Sequence, residues 1–374
     1  MSGTKRIFAI HAAAFVLAAG IVCGSPSVQA ADDFYKGKSI RLIIGYGPGG
    51  GYDVYARLVG RHMARLLPGS PTAVPQNMPG AGSARAAQFL MVGAPRDGTV
   101  WATLGQNLPL DQALNPKKAQ YDTRQFNWLG NVNRGNNVMM MWHTSGVRSI
   151  EDAKKKEVFL SATGVTSTSV QYPRVLNNIF GTKFKIITGF GGGSELNLAI
   201  ERGETQGRGS IAWATVKANV PHYLSEKKVY IILQMGLTRE KDLPGVPLLI
   251  DLARNPAERR VLELISAGVD IGRPIVTTPG VPADRVKLLR DTFDATMMDN
   301  AFLEEAKKAK LDVNPVPGEE VQKIVENIVT APADIVQLVD AAMTKGAVFD
   351  CKSLVKDVKL CEQPKKKKKN KATQ

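Results

Sequence analysis

The chain has 374 residues, a formal net charge of +15 and only 3 cysteines. After the first 30 residues no segment approaches the roughly 18 unbroken apolar residues of a spanning helix, which excludes an integral membrane protein of that kind. Lys5 and Arg6 carry two of the positive charges and residues 362–374 carry five net, leaving about +8 on the body, which is compatible with anionic ligands.

Residues 1–30 have the pattern of a secretory signal peptide. A basic start precedes an apolar stretch over residues 7–23, and Val28-Gln29-Ala30 forms a small-residue cleavage site. Cys23 follows Val22 rather than a small residue, so lipid attachment is not favoured. We therefore predict cleavage after Ala30 and a mature protein, residues 31–374, in the periplasm.

Apolar runs alternate with helical stretches along the mature chain, which predicts an α/β architecture. The predicted strands are residues 40–45, 72–74, 99–104, 138–142, 158–160, 184–187, 204–210 and 229–234, and residues 273–282 are predicted to be a strand with a proline-rich exit. The clearest predicted helices are residues 53–67, 83–92, 283–297 and 318–329. The methionines of the run at 138–142 are expected in the core rather than in a groove.

The C-terminal end contains a block of lysines and two cysteines. Lys365–Lys369 is a block of like charge, so residues 362–374 are predicted to be a disordered, solvated basic tail, and no nucleic-acid partner is expected. Cys351 and Cys361 are expected to pair in an oxidising compartment. Two free thiols near the chain end are the alternative.

A glycine cluster follows the first predicted strand, and Gly45-Tyr-Gly-Pro-Gly-Gly50 fits G-x-G-x-x-G. A phosphate loop is excluded because no Lys-Ser/Thr pair follows the glycines. A dinucleotide site requires an acid about 20 residues further on, and no Asp or Glu occurs between Asp53 and Asp97. A tight turn without a ligand is the remaining simple interpretation, and no cofactor is predicted.

Three further loops of small residues precede predicted helices, at residues 77–83, 161–169 and 189–194. Helix N-termini expose unpaired N–H groups beside the positive end of the helix dipole and attract anions. Two loops precede the strand at 138–142 and two follow it. The sequence therefore predicts two lobes, each offering two helix N-termini to a shared cleft.

These loops resemble those of a known family. Pro48-Gly-Gly-Gly-Tyr-Asp53, Asn77-Met-Pro-Gly-Ala-Gly82, Pro95-Arg-Asp-Gly98 and Ala199-Ile-Glu-Arg-Gly-Glu204 stand in the order and spacing of the substrate-binding proteins of tripartite tricarboxylate transporters, the Bug-type extracytoplasmic solute receptors. The resemblance covers nearly the whole mature chain.

The resemblance implies a two-lobed type II periplasmic binding-protein fold with a ligand cleft between the lobes. It implies lobe 1 over residues 31–130 and 251–361, with C-terminal helices in the return segment, and lobe 2 over 131–250. The implied ligand is a small di- or tricarboxylate, an acidic amino acid or an aromatic acid. The implied partners are the membrane permease subunits of such a transporter, or a signalling partner, and we expect a monomer.

The resemblance also implies which loops hold the ligand, chiefly through backbone amides. The candidate ligand-binding residues are Tyr46, Pro48, Gly49, Gly50, Gly51, Tyr52, Asp53, Pro79, Gly80, Ala81, Gly82, Ser83, Gln106, Asn107, Thr163, Gly164, Thr166, Ser167, Ser169, Phe190, Gly191, Gly192 and Ser194.

Several candidates have a second interpretation. For Asp53 a structural role in the first helical turn, paired with Arg57, is favoured over ligand contact. Tyr52 is equally compatible with stacking on an aromatic acid and with packing in a lid. Tyr52 and Gln106-Asn107 also depart from the usual family residues, which leaves the ligand's identity open.

Catalysis finds little support in the sequence. The mature chain has 3 histidines, no H-E-x-x-H motif and no G-x-S-x-G motif. We therefore predict a binding protein and not an enzyme, with neither catalytic residues nor a metal site. A secreted enzyme acting on a small anionic substrate is the alternative.

Overall fold

The computed structural model describes residues 34–344, 346, 349–355 and 357–363. The predicted signal peptide and residues 364–374 of the predicted tail lie outside the described residues. Within those ranges, no helix is both long enough and apolar enough to cross a membrane.

The strands, in chain order, are β1 (Ser39–Ile44), β2 (Thr72–Asn77), β3 (Val100–Thr103), β4 (Asn127–Asn131), β5 (Asn137–Trp142), β6 (Val158–Ser161), β7 (Phe184–Ile187), β8 (Gly207–Ala212), β9 (Val229–Met235), β10 (Pro274–Thr277) and β11 (Val316–Pro317). The α-helices are α1 (Gly51–Leu66), α2 (Ala84–Gln88), α3 (Leu108–Leu114), α4 (Ile150–Lys155), α5 (Thr168–Phe180), α6 (Gly193–Glu201), α7 (Trp213–Asn219), α8 (Pro221–Ser225), α9 (Pro256–Ser266), α10 (Ala283–Met298), α11 (Asn300–Lys308), α12 (Gly318–Val329), α13 (Ala333–Met343) and α14 (Cys351–Leu354).

These elements form two sheets. The first has the order β11-β4-β10-β3-β1-β2, and the second has the order β7-β6-β8-β5-β9. In the first sheet β1 pairs parallel with β2 and β3, whereas β10 runs antiparallel to β3 and β4. The chain passes between the sheets twice, from β4 to β5 and from β9 to β10. Each sheet, with its helices, is the centre of one lobe.

Local sequence explains where several elements begin. In α9, Pro256 occupies the first turn and the Asn255 side chain accepts a hydrogen bond from the Glu258 backbone N–H. In α4, the Ser149 hydroxyl caps the helix by accepting from the Asp152 N–H. Pro75 is tolerated in β2 because β2 is an edge strand of its sheet.

One hydrophobic core spans both lobes. It contains Ile43 and Leu108 from the first lobe together with Met139 and Tyr172 from the second. Helix α13 contacts α5 of the second lobe as well as α3 of the first. The lobes are thus packed against each other in a closed arrangement. The methionines of β5 are buried, as predicted.

Several predicted elements have other bounds in the structure. The strand predicted within residues 273–282 ends at Thr277, before its predicted proline-rich exit, because Pro279 and Gly280, which has a φ of 73°, cannot continue the ladder. The polar strand predicted at 204–210 is displaced to Gly207–Ala212. The helix predicted at 83–92 divides into a 3-10 turn (Ala81–Ser83), α2 and a π turn (Phe89–Gly93).

Cys351 and Cys361 form a disulfide, with their Cα atoms 5.9 Å apart. The bond closes α14 onto the following 3-10 turn, Val358–Cys361. The expected pairing is therefore present in the structure.

Candidate ligand-binding site

A cavity of about 510 Å³ lies between the two lobes. The first lobe contributes the start of α1, and the second contributes the starts of α5 and α6 and the end of β8. Helix N-termini of both lobes therefore meet at one cavity. Their unpaired backbone N–H groups and dipoles make this space favourable for a negative charge.

The loop before α1 is shaped by its glycines and by Asp53. Gly49 has a φ of 77°, and its N–H donates to Asp53 Oδ2 at 2.9 Å. Gly50 then stands at the N-cap of α1 with a φ of −79°. The buried Asp53 carboxylate also accepts from Arg57 and Asn77. Asp53 thus stabilises the loop and lies outside the cavity lining.

The starts of α1 and α6 face each other at short range. A Cβ atom built on Gly50 would lie 3.0 Å from the Gly193 N, and one built on Gly193 would lie 3.4 Å from the Gly50 Cα. The two positive helix ends therefore lie close together, and an anion bound in the adjoining cavity would reduce their repulsion.

Direct hydrogen bonds join the loops of the two lobes. The Gly47 N–H donates to the Gly191 carbonyl at 2.9 Å, and Asn219 Nδ2 donates to the Gly49 carbonyl at 3.0 Å. The Thr166 hydroxyl donates to the carbonyls of Ala81 and Gly82. These contacts hold the cleft closed.

Two buried arginines line the cavity, and sequence analysis did not select either. Arg208 and Arg273 are each 6% exposed. In the part of the chain that the structure describes, neither forms an ion pair with a carboxylate. Burial lowers the pKa of Arg208 to about 10, so the side chain stays charged at neutral pH. A buried charge without a counterion is costly, and a bound anion would remove that cost.

Half of the buried side-chain atoms of the described residues that lack a hydrogen-bond partner belong to residues of this cavity. Among the described residues, ten buried side-chain N or O atoms have no hydrogen-bond partner, and half of them belong to residues of the cavity lining. These five are Gln106 Nε2, Asn137 Nδ2, Arg208 Nε, Ser210 Oγ and Arg273 Nε. Four are nitrogen donors and the fifth is a hydroxyl, so the cavity offers hydrogen bonds chiefly to an acceptor.

An aromatic pair forms one side of the cavity. The rings of Tyr46 and Tyr52 stack with centroids 4.5 Å apart, and the Arg273 guanidinium lies 4.4 Å from the Tyr52 ring centroid. The Tyr52 hydroxyl accepts from the Gln106 backbone N–H at 3.1 Å. Burial raises the pKa of both tyrosines, which keeps them neutral.

The structure brings about half of the predicted site residues to the cavity lining. They are Tyr46, Gly49, Gly50, Gly51, Tyr52, Gln106, Thr163, Ser167, Ser169 and Ser194. The other candidates lie outside the lining, namely Pro48, Asp53, Pro79, Gly80, Ala81, Gly82, Ser83, Asn107, Gly164, Thr166, Phe190, Gly191 and Gly192.

The second loop lies outside the lining because it contacts the opposite lobe directly. Its carbonyls accept from Thr166, and the buried Ser83 Oγ accepts from the Gly105 N–H at 3.1 Å. Asn107 is likewise buried and donates to Gln171 across the lobes. Within the described residues, no group of three His, Cys, Asp or Glu side chains is placed to hold a metal ion.

A faint sequence signal did exist for Arg208. It lies between glycines in Gly207-Arg-Gly-Ser-Ile211, a short strand without an adjacent acid. Arg273 immediately precedes the buried strand β10. For Arg208 the flanking glycines are the signal, whereas the sequence around Arg273, with Asp270 three residues before it, gives none.

Substitution of Gly50 tests the close approach of the two helix starts. We expect Gly50→Val to lower ligand affinity at least about tenfold, roughly 1.4 kcal/mol, because the added side chain meets Gly193. The φ of −79° is open to any residue, so the lobe should fold normally. Calorimetric titration measures the loss, with circular dichroism as the folding control.

Asp53→Asn is the matched comparison in the same loop. Asp53 contacts the loop and Arg57 rather than the cavity, so the change should affect affinity less than Gly50→Val does. Loss of binding in Asp53→Asn alone, with normal binding by Gly50→Val, would contradict this assignment.

The chain has the fold of the periplasmic binding proteins, because two α/β lobes are joined by two chain crossings around a cleft.

No family model matches the chain. A curated relative, the UPF0065 protein in the gbd 5'region of Cupriavidus necator, is 24% identical over 319 residues, which are 83% of this chain and 90% of the relative.

Three solved structures illustrate the similarity. The periplasmic binding protein BugD is 19% identical, with a TM-score of 0.65 over 82% of this chain and 98% of BugD. MatC of Rhodopseudomonas palustris with bound malate is 15% identical, with a TM-score of 0.64 over 80% and 99% of the two chains. An R. palustris protein with adipate is 16% identical, with a TM-score of 0.61 over 78% and 94%.

These similarities confirm the resemblance to Bug-type receptors that the loop motifs indicate, and they establish the two-lobed fold. Among the similar structures, BugD is described as a periplasmic binding protein and a TctC protein from Polaromonas as a solute binding protein.

Proposed function

We propose that this protein is a periplasmic solute-binding protein that captures a small carboxylate in the cleft between its lobes. The observation that carries the proposal is the pair of buried arginines, Arg208 and Arg273, on one interlobe cavity. A carboxylate would supply both the missing counter-charge and acceptors for the unpartnered donors of the lining.

The ligands of similar proteins agree with this chemistry. MatC holds malate and an R. palustris neighbour holds adipate, and both ligands carry two carboxylates. For this chain a dicarboxylate or tricarboxylate, an acidic amino acid or an aromatic acid all remain within the proposed class. The stacked pair of Tyr46 and Tyr52 would suit an aromatic member of that class.

Delivery to a membrane partner completes the proposal. Residues 1–30 have the features of an export signal, which supports a periplasmic location. The family resemblance supports hand-over of the ligand to permease subunits of a tripartite tricarboxylate-type transporter, or to a signalling partner. Closure around the ligand would give the partner a distinct surface to recognise.

Incubation of the purified mature protein with a carboxylate panel tests this function. A captured ligand should raise the melting temperature in a concentration-dependent way, because it binds the folded state only. Mass spectrometry should then recover the ligand chemically unchanged. No thermal shift from any carboxylate, or conversion of the ligand to a product, would contradict the proposal.

A further inference from the structure

The two cavity arginines are held by different lobes. Arg208 lies on β8, and its Nη1 donates to Asn197 Oδ1 at 2.7 Å and to the Gly193 carbonyl at 3.2 Å. Both partners belong to α6 of the second lobe. The position of this guanidinium is therefore set by the second lobe alone.

Arg273 lies where the second crossing enters the first lobe, immediately before β10. Its guanidinium lies over the rings of Tyr52 and Tyr55, 4.4 and 5.7 Å from their centroids. Its backbone N–H donates to Asn131 Oδ1 at the end of β4. Across the cleft, its Nη2 donates to Thr215 Oγ1 at 2.8 Å.

The unpartnered hydrogen-bond donors of the cavity are likewise distributed over both lobes. Ser210 lies two residues from Arg208 on β8, so both side chains leave the same face of the strand. Asn137 lies on β5, which pairs with β8. Gln106 belongs to the first lobe and contacts Tyr52, over which Arg273 lies. Each lobe thus presents one guanidinium and at least one further unpartnered group.

We propose that the ligand is a dianion with two separate carboxylates, one bound by Arg208 and the other by Arg273, and that this arginine pair sets ligand specificity. The inference rests on the proposed function and adds to it the number and placement of the ligand's charges. A dianion would join the lobes through two charge-assisted contacts.

A ligand with one carboxylate would bring a single negative charge to two buried guanidiniums, so one positive charge would stay uncompensated. Such an uncompensated buried charge is strongly unfavourable, so the closed state should favour dianions. Repulsion from Arg273 contributes to the lowered pKa of Arg208, which agrees with two guanidiniums that share one cavity. Glu201, the carboxylate on the lining, accepts from the Tyr223 hydroxyl instead.

Dicarboxylates and their monoamides test the proposal. The probes are the straight-chain dicarboxylates from malonate to suberate, each with its monoamide, which has nearly the same shape but one charge fewer. Calorimetric titration should show that the best dicarboxylate binds at least about 100-fold more tightly than its monoamide.

Substitution of the arginines supplies the second measurement. Arg208→Gln and Arg273→Gln should each weaken binding of the best dicarboxylate at least about 30-fold and reduce its preference over the monoamide to less than about tenfold. The melting temperature without ligand should stay unchanged or rise, because a buried unpaired charge is removed. Arg202→Gln changes the net charge equally at an exposed position outside the lining, so it should bind normally.

The binding measurements have different outcomes if the two-carboxylate ligand is wrong and if the carboxylate-binding function itself is wrong. Equal binding of dicarboxylates and monoamides, normal binding by both cavity variants, or tighter binding of a tetrahedral anion such as sulfate would overturn the inference. Tight binding of monocarboxylates alone would overturn the inference and leave the function standing. Binding of no carboxylate at all would overturn both.

Discussion

Gly164→Ala is expected to prevent closure of the cleft and to lower ligand affinity at least about 100-fold. Gly164 lies in the second lobe, between β6 and α5. A Cβ atom there would lie 2.3 Å from the Gly82 N and 2.6 Å from the Ala81 carbonyl carbon, both of the first lobe. These are backbone atoms, so only separation of the lobes relieves the overlap.

Small-angle X-ray scattering measures this effect directly. Saturating ligand should reduce the radius of gyration of the native protein and leave that of Gly164→Ala unchanged. The substitution should not disturb its own lobe, because Gly164 does not have a positive φ. Gly245→Ala is the matched control, since Gly245 has no heavy atom within 4 Å of its added Cβ and does not have a positive φ. Ligand-induced compaction of Gly164→Ala would contradict this account of closure.

The second large effect is expected on stability, from Gln234→Leu. Gln234 is fully buried at the end of β9 and makes four side-chain hydrogen bonds. Its Oε1 accepts from Asn136 Nδ2 and the Glu240 N–H, and its Nε2 donates to the carbonyls of Leu243 and Val246. One amide thus organises the segment that follows β9.

Leucine has a similar volume but satisfies none of these groups. We expect the free energy of unfolding to fall by about 3 to 5 kcal/mol, because buried donors and acceptors would lose their partners. Urea denaturation at constant temperature measures the change. Gln322→Leu is the control, because Gln322 is only partly buried and donates one bond, to the Arg124 carbonyl, so its cost should stay near 1 kcal/mol or below. A cost of less than about 1 kcal/mol for Gln234→Leu would contradict the assigned role.

The local chemistry of the sequence determined the α/β architecture and the positions of several loops that line the cavity. Strand β7 and helix α12 have the predicted bounds, because apolar runs and helix-start residues act over a few neighbouring positions. The glycine-rich start of α1 was found for the same reason, and so was the structural role of Asp53. Both depend on residues within one turn of helix.

Only the tertiary structure decided which loops line the cavity and where its charges lie. Residues 79–83 have the composition of a ligand loop, yet they contact Gly164 and Thr166 because the closed lobes meet there. Arg208 lies on β8 of the second sheet, whereas Arg273 immediately precedes β10 of the first sheet, and the two are far apart in sequence. They meet at one cavity because two chain crossings bring the lobes together, and among the described residues neither buried arginine forms an ion pair with a carboxylate. No short-range pattern contains that information, since burial and the absence of a partner are properties of the packed molecule.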